Sequence, residues 1–453
     1  MCARQCVIFD LDGTLTQSEE GIWNCVRYAA ENLGFPEPDV ATLRKFVGPP
    51  LSYSFREYLH MSDEIADAAV AKYRERYSVV GLFENRVYPG IRRLLSMLKK
   101  QGAYVAVATG KPQVYAERIV AHFGLDKWFD KVVGPGMISS HEKDDLIRAA
   151  LPEDWDASWD NCWMIGDTRF DMEGGSRVGV KTLGVSYGYG TEEELVTAGA
   201  TAICHSVQEV IDLLCPGTEN PQGMFLSMEG LDGSGKTTQM NLLEDGLSRW
   251  GYEVVRSREP GGSRVGEKIR DILLDAANMG MTAETEALLF AASRAQHVRE
   301  VIRPAVKAGK VLLCDRFVDS SVVYQGGGRE LGVQYVLDIN APAVDGTMPL
   351  CTVYLNVDHV TALARRSAAS ELDRLEMEED SFHARIEAAY HELIARDPER
   401  FVVVDATKSP EEIGQAALEM VHLSDISCAK SGNEAVLPPM EQPPLPIADD
   451  IKR

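Results

Sequence analysis

Two groups of residues in this chain have the types and spacing for phosphate chemistry. Asp10-Leu11-Asp12-Gly13-Thr14 follows the apolar run Cys6-Val7-Ile8-Phe9, so two carboxylates stand at the end of a predicted strand. Metal-assisted transfer of a phosphoryl group to an aspartate needs that arrangement. Gly230-Leu231-Asp232-Gly233-Ser234-Gly235-Lys236-Thr237 follows a second apolar run and precedes a helical pattern through Leu242, Leu243 and Leu247. In such a loop backbone N–H groups and the helix N-terminus cradle a polyphosphate, Lys236 reaches its β and γ oxygens, and the Thr237 hydroxyl ligates Mg²⁺. Residues Gly230, Leu231, Asp232, Gly233, Ser234, Gly235, Lys236, Thr237 and Thr238 are therefore the candidate ATP contacts. Alone, this loop fits any nucleoside triphosphatase.

The first group has company in chain order. Thr109 ends the apolar run 104–108, Lys143 opens a helical pattern, and Gly166-Asp167-Thr168-Arg169-Phe170-Asp171 caps the run 162–165. A hydroxyl and an ammonium for phosphoryl oxygens, and carboxylates for Mg²⁺, are thus expected at the C-terminal ends of parallel strands, where such sheets bind ligands. Candidate catalytic residues are Asp10, Asp12, Thr109 and Lys143; candidate metal positions are Asp10, Asp12, Asp167 and Asp171, the last expected behind the ligands, with Thr237 in the other half.

The elements that must position these groups alternate as in α/β proteins. Short β-branched runs separated by helical patterns recur over the first 215 residues and again at 224–228, 252–255, 311–314, 353–357 and 401–404, predicting two parallel sheets. Residues 17 to 85 read as an all-helical insert, with Ile22, Val26, Ala29, Ala30 and Leu33 at helical spacing before Gly34, and are expected to cap the first site. Turn formers at 216–223 mark a linker, 224–423 a second domain, and the Pro-rich stretch 424–453 a disordered tail. A chain of 453 residues exceeds what one core usually organises. The net charge of −23 argues against a nucleic-acid backbone partner and leaves small anions to local basic pockets. Nine scattered cysteines without a C-x-x-C pair signal neither disulfides nor zinc, and no run of 18 apolar residues occurs, so a cytoplasmic protein without a membrane span is expected.

Asp10 to Thr14, Thr109, Lys143 and Gly166 to Asp171, in that order, resemble the haloacid dehalogenase superfamily over about residues 5 to 215. The insert with Phe46-Val47-Gly48-Pro49-Pro50-Leu51 is most similar to its phosphoglycolate phosphatase branch. The resemblance implies a Rossmann-like core in which Asp10 forms an aspartyl-phosphate and Asp12 protonates the leaving oxygen and then activates water. It also implies that Mg²⁺ is held by Asp10, the Asp12 carbonyl and Asp167, and that the substrate is a small phosphate ester.

In the second half Arg258-Glu259-Pro260-Gly261-Gly262, the segment from Thr285 through Phe290 and Arg294 to His297, Asp315-Arg316-Phe317, Tyr324-Gln325-Gly326-Gly327-Gly328-Arg329 and Leu372-Asp373-Arg374-Leu375-Glu376 resemble bacterial thymidylate kinases over about residues 223 to 421. That resemblance implies a P-loop kinase sheet with flanking helices, dTMP and ATP as partners, and a homodimer. It implies that Phe290 stacks on thymine, Arg294 and Gln325 read the base, and Ser320 lies near it. Arg258 and Arg316 hold the acceptor phosphate, and Asp232 and Tyr324 flank the deoxyribose. The family supplies a charge-stabilising arginine from the phosphate loop or the lid; this chain has Gly233 in the loop and Ala369 in the lid, leaving Arg365 and Arg366. The expected function is a thymidylate kinase fused to a Mg²⁺-dependent phosphatase. The alternatives are a nucleotide-binding regulator with impaired turnover, and a nucleotide monophosphate phosphatase paired with the kinase.

Overall fold

The computed structural model describes residues 5–48, 51–136, 142–154, 161–220, 223–366, 375 and 378–431. The chain divides into two compact units, Met1–Pro221 with Gly246–Glu253, and Gln222–Asp245 with Val254–Arg453.

The first unit is built on a six-stranded parallel sheet of β1 (Gln5–Phe9), β4 (Tyr104–Ala108), β5 (Lys131–Val133), β6 (Asn161–Gly166), β7 (Lys181–Val185) and β8 (Ala202–Cys204), in the order β5-β4-β1-β6-β7-β8. Its central strands are apolar on both faces because helices cover both. Alternate residues divide between two cores: Val7, Phe9, Val105, Val107, Trp163 and Ile165 enter one, and Cys6, Ile8, Ala106, Ala108, Cys162 and Met164 the other. The neighbours β4, β1 and β6 deliver Thr109, Asp10 and Asp167 from adjacent C-terminal ends. Between β2 (Thr16–Gln17) and β3 (Arg86–Val87), which pair antiparallel, the insert forms helices Glu19–Asn32, Val40–Arg44, Leu51–Leu59 and Asp63–Arg76 and a π-helical turn Tyr77–Gly81. In the first of these helices Ile22, Val26, Ala29 and Ala30 are buried, and Gly34 turns the chain away at φ +74°.

The second unit holds β9 (Met224–Gly230), β10 (Val254–Arg258), β11 (Val311–Asp315), β12 (Cys351–Asn356) and β13 (Phe401–Asp405), all parallel, in the order β10-β11-β9-β12-β13. Phe225, Leu312, Cys314 and Phe317 pack with Val298 and Ile302 on one face of this sheet. The strand expected at 252–255 lies instead at Val254–Arg258, because pairing with β11 fixes its register through Arg258 opposite Asp315. The last helix runs Pro410–Ser431, past residue 423, where the sequence pattern predicts a disordered tail to begin; Gly432 is the first helix breaker on that path. Residues 432–453 lie outside the described residues.

Candidate active sites

Where β1 ends, three buried carboxylates converge: Asp10, Asp167 and Asp171 each place an oxygen within 4.8 Å of the others. Lys143, the first residue of the helix Lys143–Ala150, sends its ammonium between two of them, 2.7 Å from Asp10 Oδ1 and 2.5 Å from Asp171 Oδ1. Asp167 accepts from the Thr14 hydroxyl at 3.2 Å and the Tyr189 backbone N–H at 2.8 Å. Asp171, expected behind the ligands, belongs to the cluster itself, and its second oxygen accepts from the Thr168 hydroxyl at 2.7 Å. Gly13 must be glycine: it sits at φ +81°, and a Cβ there would lie 2.1 Å from Asp167 Oδ2.

Burial pushes the Asp10 carboxyl up to about 6 against the opposing pull of Lys143, and pushes Asp167 up to about 8, helped by Asp171 and Asp10. Burial also works to lower Lys143, but the Asp10 and Asp171 carboxylates outweigh it and hold the ammonium above its ordinary value. Three carboxylates sharing one buried space with one ammonium form a hard-oxygen donor set that suits a divalent cation, whose charge would reverse the strain on Asp167.

Asp12 does not join this cluster through its side chain. Its Oδ2 lies 2.9 Å from Lys111 Nζ, while Oδ1 is buried without a hydrogen-bond partner among the described residues. Thr109 is buried and its hydroxyl accepts from the Lys111 backbone N–H at 3.2 Å. The sequence reasoning missed Lys111, although Thr109-Gly110-Lys111 places it in the same strand-end turn; it also missed Tyr189, to which no spacing points.

In the second unit the phosphate loop joins β9 to the helix Lys236–Arg249 and faces a cavity of about 620 Å³. Asp232, Gly233, Gly235, Lys236, Thr237 and Thr238 line one part of it. Arg258, Phe290, Arg294, Arg316, Ser320, Tyr324, Gln325 and Arg365 line the rest, so nearly every residue expected at the nucleotide sites meets in one space. Five guanidinium or ammonium groups among them fit anionic ligands despite the acidic chain.

The Lys236 ammonium donates to the Gly230 carbonyl at 3.1 Å, the Leu231 carbonyl at 3.0 Å and Asp232 Oδ1 at 3.3 Å, which uses its three protons. Burial and the neighbouring Arg316 pull its pKa below the ordinary value. Asp232 also accepts from Arg316 Nη2 at 2.6 Å and from the Tyr324 hydroxyl at 3.2 Å. Burial works to raise the Asp232 carboxyl, but Arg316 and Lys236 outweigh it and hold it well below the usual carboxylate range. Arg316 adopts φ +68°, a left-handed conformation uncommon outside glycine, as the chain leaves β11; residues held in this way concentrate at functional sites.

Arg294 is 1% exposed and engages Glu259 Oε2 at 2.8 Å, Asn340 and the Phe317 carbonyl, while Glu259 Oε1 meets His297 Nδ1 at 2.8 Å. Gln325 donates to Glu286 at 2.8 Å, which leaves its Oε1 buried without a partner among the described residues and free to accept from a ligand. Phe290 is buried beside Leu273 and Leu375 and still lines the cavity. Arg258 pairs with Glu267 at 2.9 Å, and Arg365 donates to the Ala406 carbonyl at 2.9 Å. The Arg366 side chain and Ala369 lie outside the described residues.

Sequence reasoning missed Glu229, the residue before the loop. Its carboxylate accepts from the Phe317 N–H at 2.8 Å, the Ser320 hydroxyl at 2.6 Å and the Tyr390 hydroxyl at 2.9 Å, and burial pushes it up to about 7. It also missed Glu259, Arg270 and Asp315 in the cavity wall. The quoted strings contain Glu259 and Asp315, but only the fold shows that they face the ligand space.

A family model described as thymidylate kinase matches residues 228–417, and one described as haloacid dehalogenase-like hydrolase matches residues 7–185. Over 201 residues the chain is 45% identical to a thymidylate kinase of Bacillus pumilus (strain SAFR-032), covering 44% of this chain and 95% of that one. Over 194 residues it is 46% identical to a thymidylate kinase of Geobacillus sp. (strain WCH70), covering 42% and 92%. Among solved structures, a predicted phosphatase from Clostridium acetobutylicum matches at 40% identity and a TM-score of 0.42, covering 47% of this chain and 98% of its own. A haloacid dehalogenase-like family hydrolase from Streptococcus pneumoniae matches at 32% identity and a TM-score of 0.42, covering 47% and 99%.

Proposed function

The chain belongs to the thymidylate kinase family through residues 228–417 and carries a haloacid dehalogenase-like hydrolase in residues 7–185, and from that premise we propose that it phosphorylates dTMP with ATP and, at its N-terminal site, hydrolyses a small phosphate monoester. One observation carries the kinase reading: the phosphate loop and the arginine and aromatic residues expected around dTMP line a single cavity. Lys236 and Thr237 face the phosphates of ATP, and the Thr237 hydroxyl would hold Mg²⁺. Arg258 and Arg316 hold the acceptor phosphate as guanidinium forks, and Asp232 and Tyr324 lie along the sugar. Phe290 stacks on thymine, Arg294 and Gln325 approach its edge, and Ser320 lies beside it. Arg365, which reaches this cavity from the helix His359–Arg366, is the arginine that neutralises the transferring phosphoryl group, with Arg366 the alternative.

At the N-terminal site Asp10 attacks phosphorus and Asp12 gives its proton to the departing oxygen, then takes one from water as the aspartyl-phosphate is hydrolysed. Thr109 and Lys143 hold phosphoryl oxygens. Asp10, Asp167 and Asp171, with the Asp12 carbonyl, would hold Mg²⁺, which supplies charge neutralisation for those oxygens. The separation of the Asp12 carboxylate from the three-carboxylate cluster supports this division of labour, because nucleophile and proton donor need different surroundings.

The kinase unit is proposed to pair with a second copy; exposed Ile272 and Leu288 on consecutive helices support this, and sedimentation of the full chain tests it. The protein is placed in the cytoplasm, a reading supported by the seven cysteines whose side chains are described, all of them free; among the described residues no helix is long and apolar enough to cross a membrane. The reading as a whole is tested by two assays on one preparation: dTMP-dependent release of ADP, and phosphate release from a panel of monoesters with Mg²⁺. Lys236→Ala should remove the first by about 10²-fold or more and spare the second. A kinase rate untouched by that change refutes the assignment of the loop.

A further inference from the structure

The N-terminal site contains a cation that none of the steps above uses. Lys111 lies in the turn after β4, its side chain only 7% exposed, with its ammonium 2.9 Å from Asp12 Oδ2. On its other side the ammonium donates to the Tyr77 hydroxyl and lies 5.0 Å from the centre of the Tyr77 ring. Tyr77 comes from the insert, where it begins the π-helical turn and stacks on Tyr73 at 5.1 Å between ring centres. Lys111 therefore joins the carboxylate expected to move protons to the element expected to cover the substrate.

The geometry points to Lys111 as a positioning residue for Asp12: by holding Oδ2 between the turn after β4 and the insert's Tyr77, it leaves Oδ1 as the oxygen that exchanges a proton with the leaving group. This rests on the phosphatase reading above. A carboxyl group serves as a general acid only when one defined oxygen lies within hydrogen-bond reach of the departing atom, and an unrestrained Asp12 rotates both oxygens through that position. Asp12 Oδ1 has no other partner among the described residues, so the ion pair divides the carboxyl group into a tethered oxygen and a working one. In the first step the Asp10 oxygen forms a bond to phosphorus, the bond from phosphorus to the leaving oxygen breaks with its electron pair on that oxygen, and the proton on Asp12 Oδ1 moves there. In the second step water attacks phosphorus, its proton goes to Asp12 Oδ1, and the bond to Asp10 breaks. Lys111 transfers no proton in either.

A structural role and a positioning role differ in how they depend on the leaving group. An alkoxide must be protonated as it departs, whereas p-nitrophenolate is stable unprotonated. Both esters share the second step, so the first is read alone: in full-length protein with Mg²⁺, Lys111→Met should lower the single-turnover rate of alcohol release from an alkyl monoester such as glycerol 3-phosphate by about 10²-fold, with at most a few-fold effect on the single-turnover release of p-nitrophenolate and on the affinity for either ester. Lys111→Arg should recover most of the alkyl-ester rate. Tyr77→Phe, which keeps the ring and removes only the hydroxyl acceptor, should shift the ratio of the two rates in the same direction but less, and serves as well if Lys111→Met folds poorly. Equal losses of the two single-turnover rates, or a loss confined to substrate affinity, overturn the assignment and leave Lys111 as a folding or substrate-binding residue. A wild-type protein that hydrolyses neither ester overturns the phosphatase reading itself, and the assignment with it.

Discussion

In the kinase cavity Asp232 stands where an anionic ligand would be drawn: one carboxylate accepts from Arg316 at 2.6 Å, Lys236 at 3.3 Å and Tyr324 at 3.2 Å. Asp232→Asn keeps the shape and removes the charge. Charge-assisted hydrogen bonds are worth about 1.5–3 kcal/mol each. The amide oxygen still accepts one of them, and the Asp232 side chain is 35% exposed, so screening reduces the rest. The expected loss is about 2 kcal/mol, or roughly 4–8 °C in the melting of a domain of this size. The assay is scanning calorimetry of the full chain, with the kinase transition identified as the one that added dTMP raises.

Inorganic phosphate should then stabilise the variant more than the wild type, by about 2 kcal/mol at fifty times its Kd, because it restores the missing negative charge between the two cations. The pH dependence has a definite sign. Arg316 and Lys236 hold the Asp232 carboxyl below its unfolded value against the effect of burial, so its contribution is present above about pH 4 and fades as pH falls through the lower folded value. The difference between wild type and variant should shrink under acid. A variant that melts with the wild type at neutral pH, or phosphate that stabilises both equally, refutes the view of Asp232 as an internal counter-ion.

Asp10→Asn should abolish phosphate release at the N-terminal site while dTMP kinase turnover stays within a few-fold, since each candidate site draws its residues from one unit; parallel loss of both activities in steady-state assays contradicts this. Phe290→Ala should weaken dTMP binding by about 1–3 kcal/mol in calorimetric titration with little change for ATP, and an unaltered dTMP affinity returns Phe290 to a purely packing role. Arg365→Ala should lower kinase kcat by about 10²-fold or more with a smaller change in ATP affinity, because the charge it meets develops in the transition state. If Arg365→Ala is silent and Ala369→Arg raises kcat tenfold or more, the lid of this chain is weakened rather than rearranged.

What the sequence revealed follows from where its signals are local. Asp10, Thr109 and Asp167 each sit at the junction of an apolar run and a turn, and parallel-sheet geometry alone brings such junctions together, while Lys143 opens the helix Lys143–Ala150. The phosphate loop and its helix are contiguous, so their order sufficed. Lys111 and Glu229 escaped notice although each neighbours a recognised motif, because their partners, Tyr77 at one and Tyr390 at the other, are fixed only by tertiary packing. The edge strands β5 and β8 are three residues long, too short to show a period. Asp171, expected behind the metal position, caps the first turn of its own helix through Thr168, yet its other oxygen joins the cluster, a double use that only the fold reveals. The last helix outran the expected boundary because polar residues without Pro or Gly do not stop a helix once its earlier turns are packed.

The paired strands β2 and β3 have a consequence for descent and redesign. The insert leaves the sheet at Thr16–Gln17 and returns at Arg86–Val87, and Thr16 is the direct partner of Val87. Its two ends are therefore neighbours, and the order of the strands carrying Asp10, Thr109 and Asp167 is indifferent to what lies between them. Chain-closure entropy grows only slowly with loop length, so exchanging this insert for a longer or shorter one adds little strain at the junction. Substrate preference can thus drift by replacement of a module while the phosphate chemistry beneath stays fixed, a graft whose two sutures lie side by side.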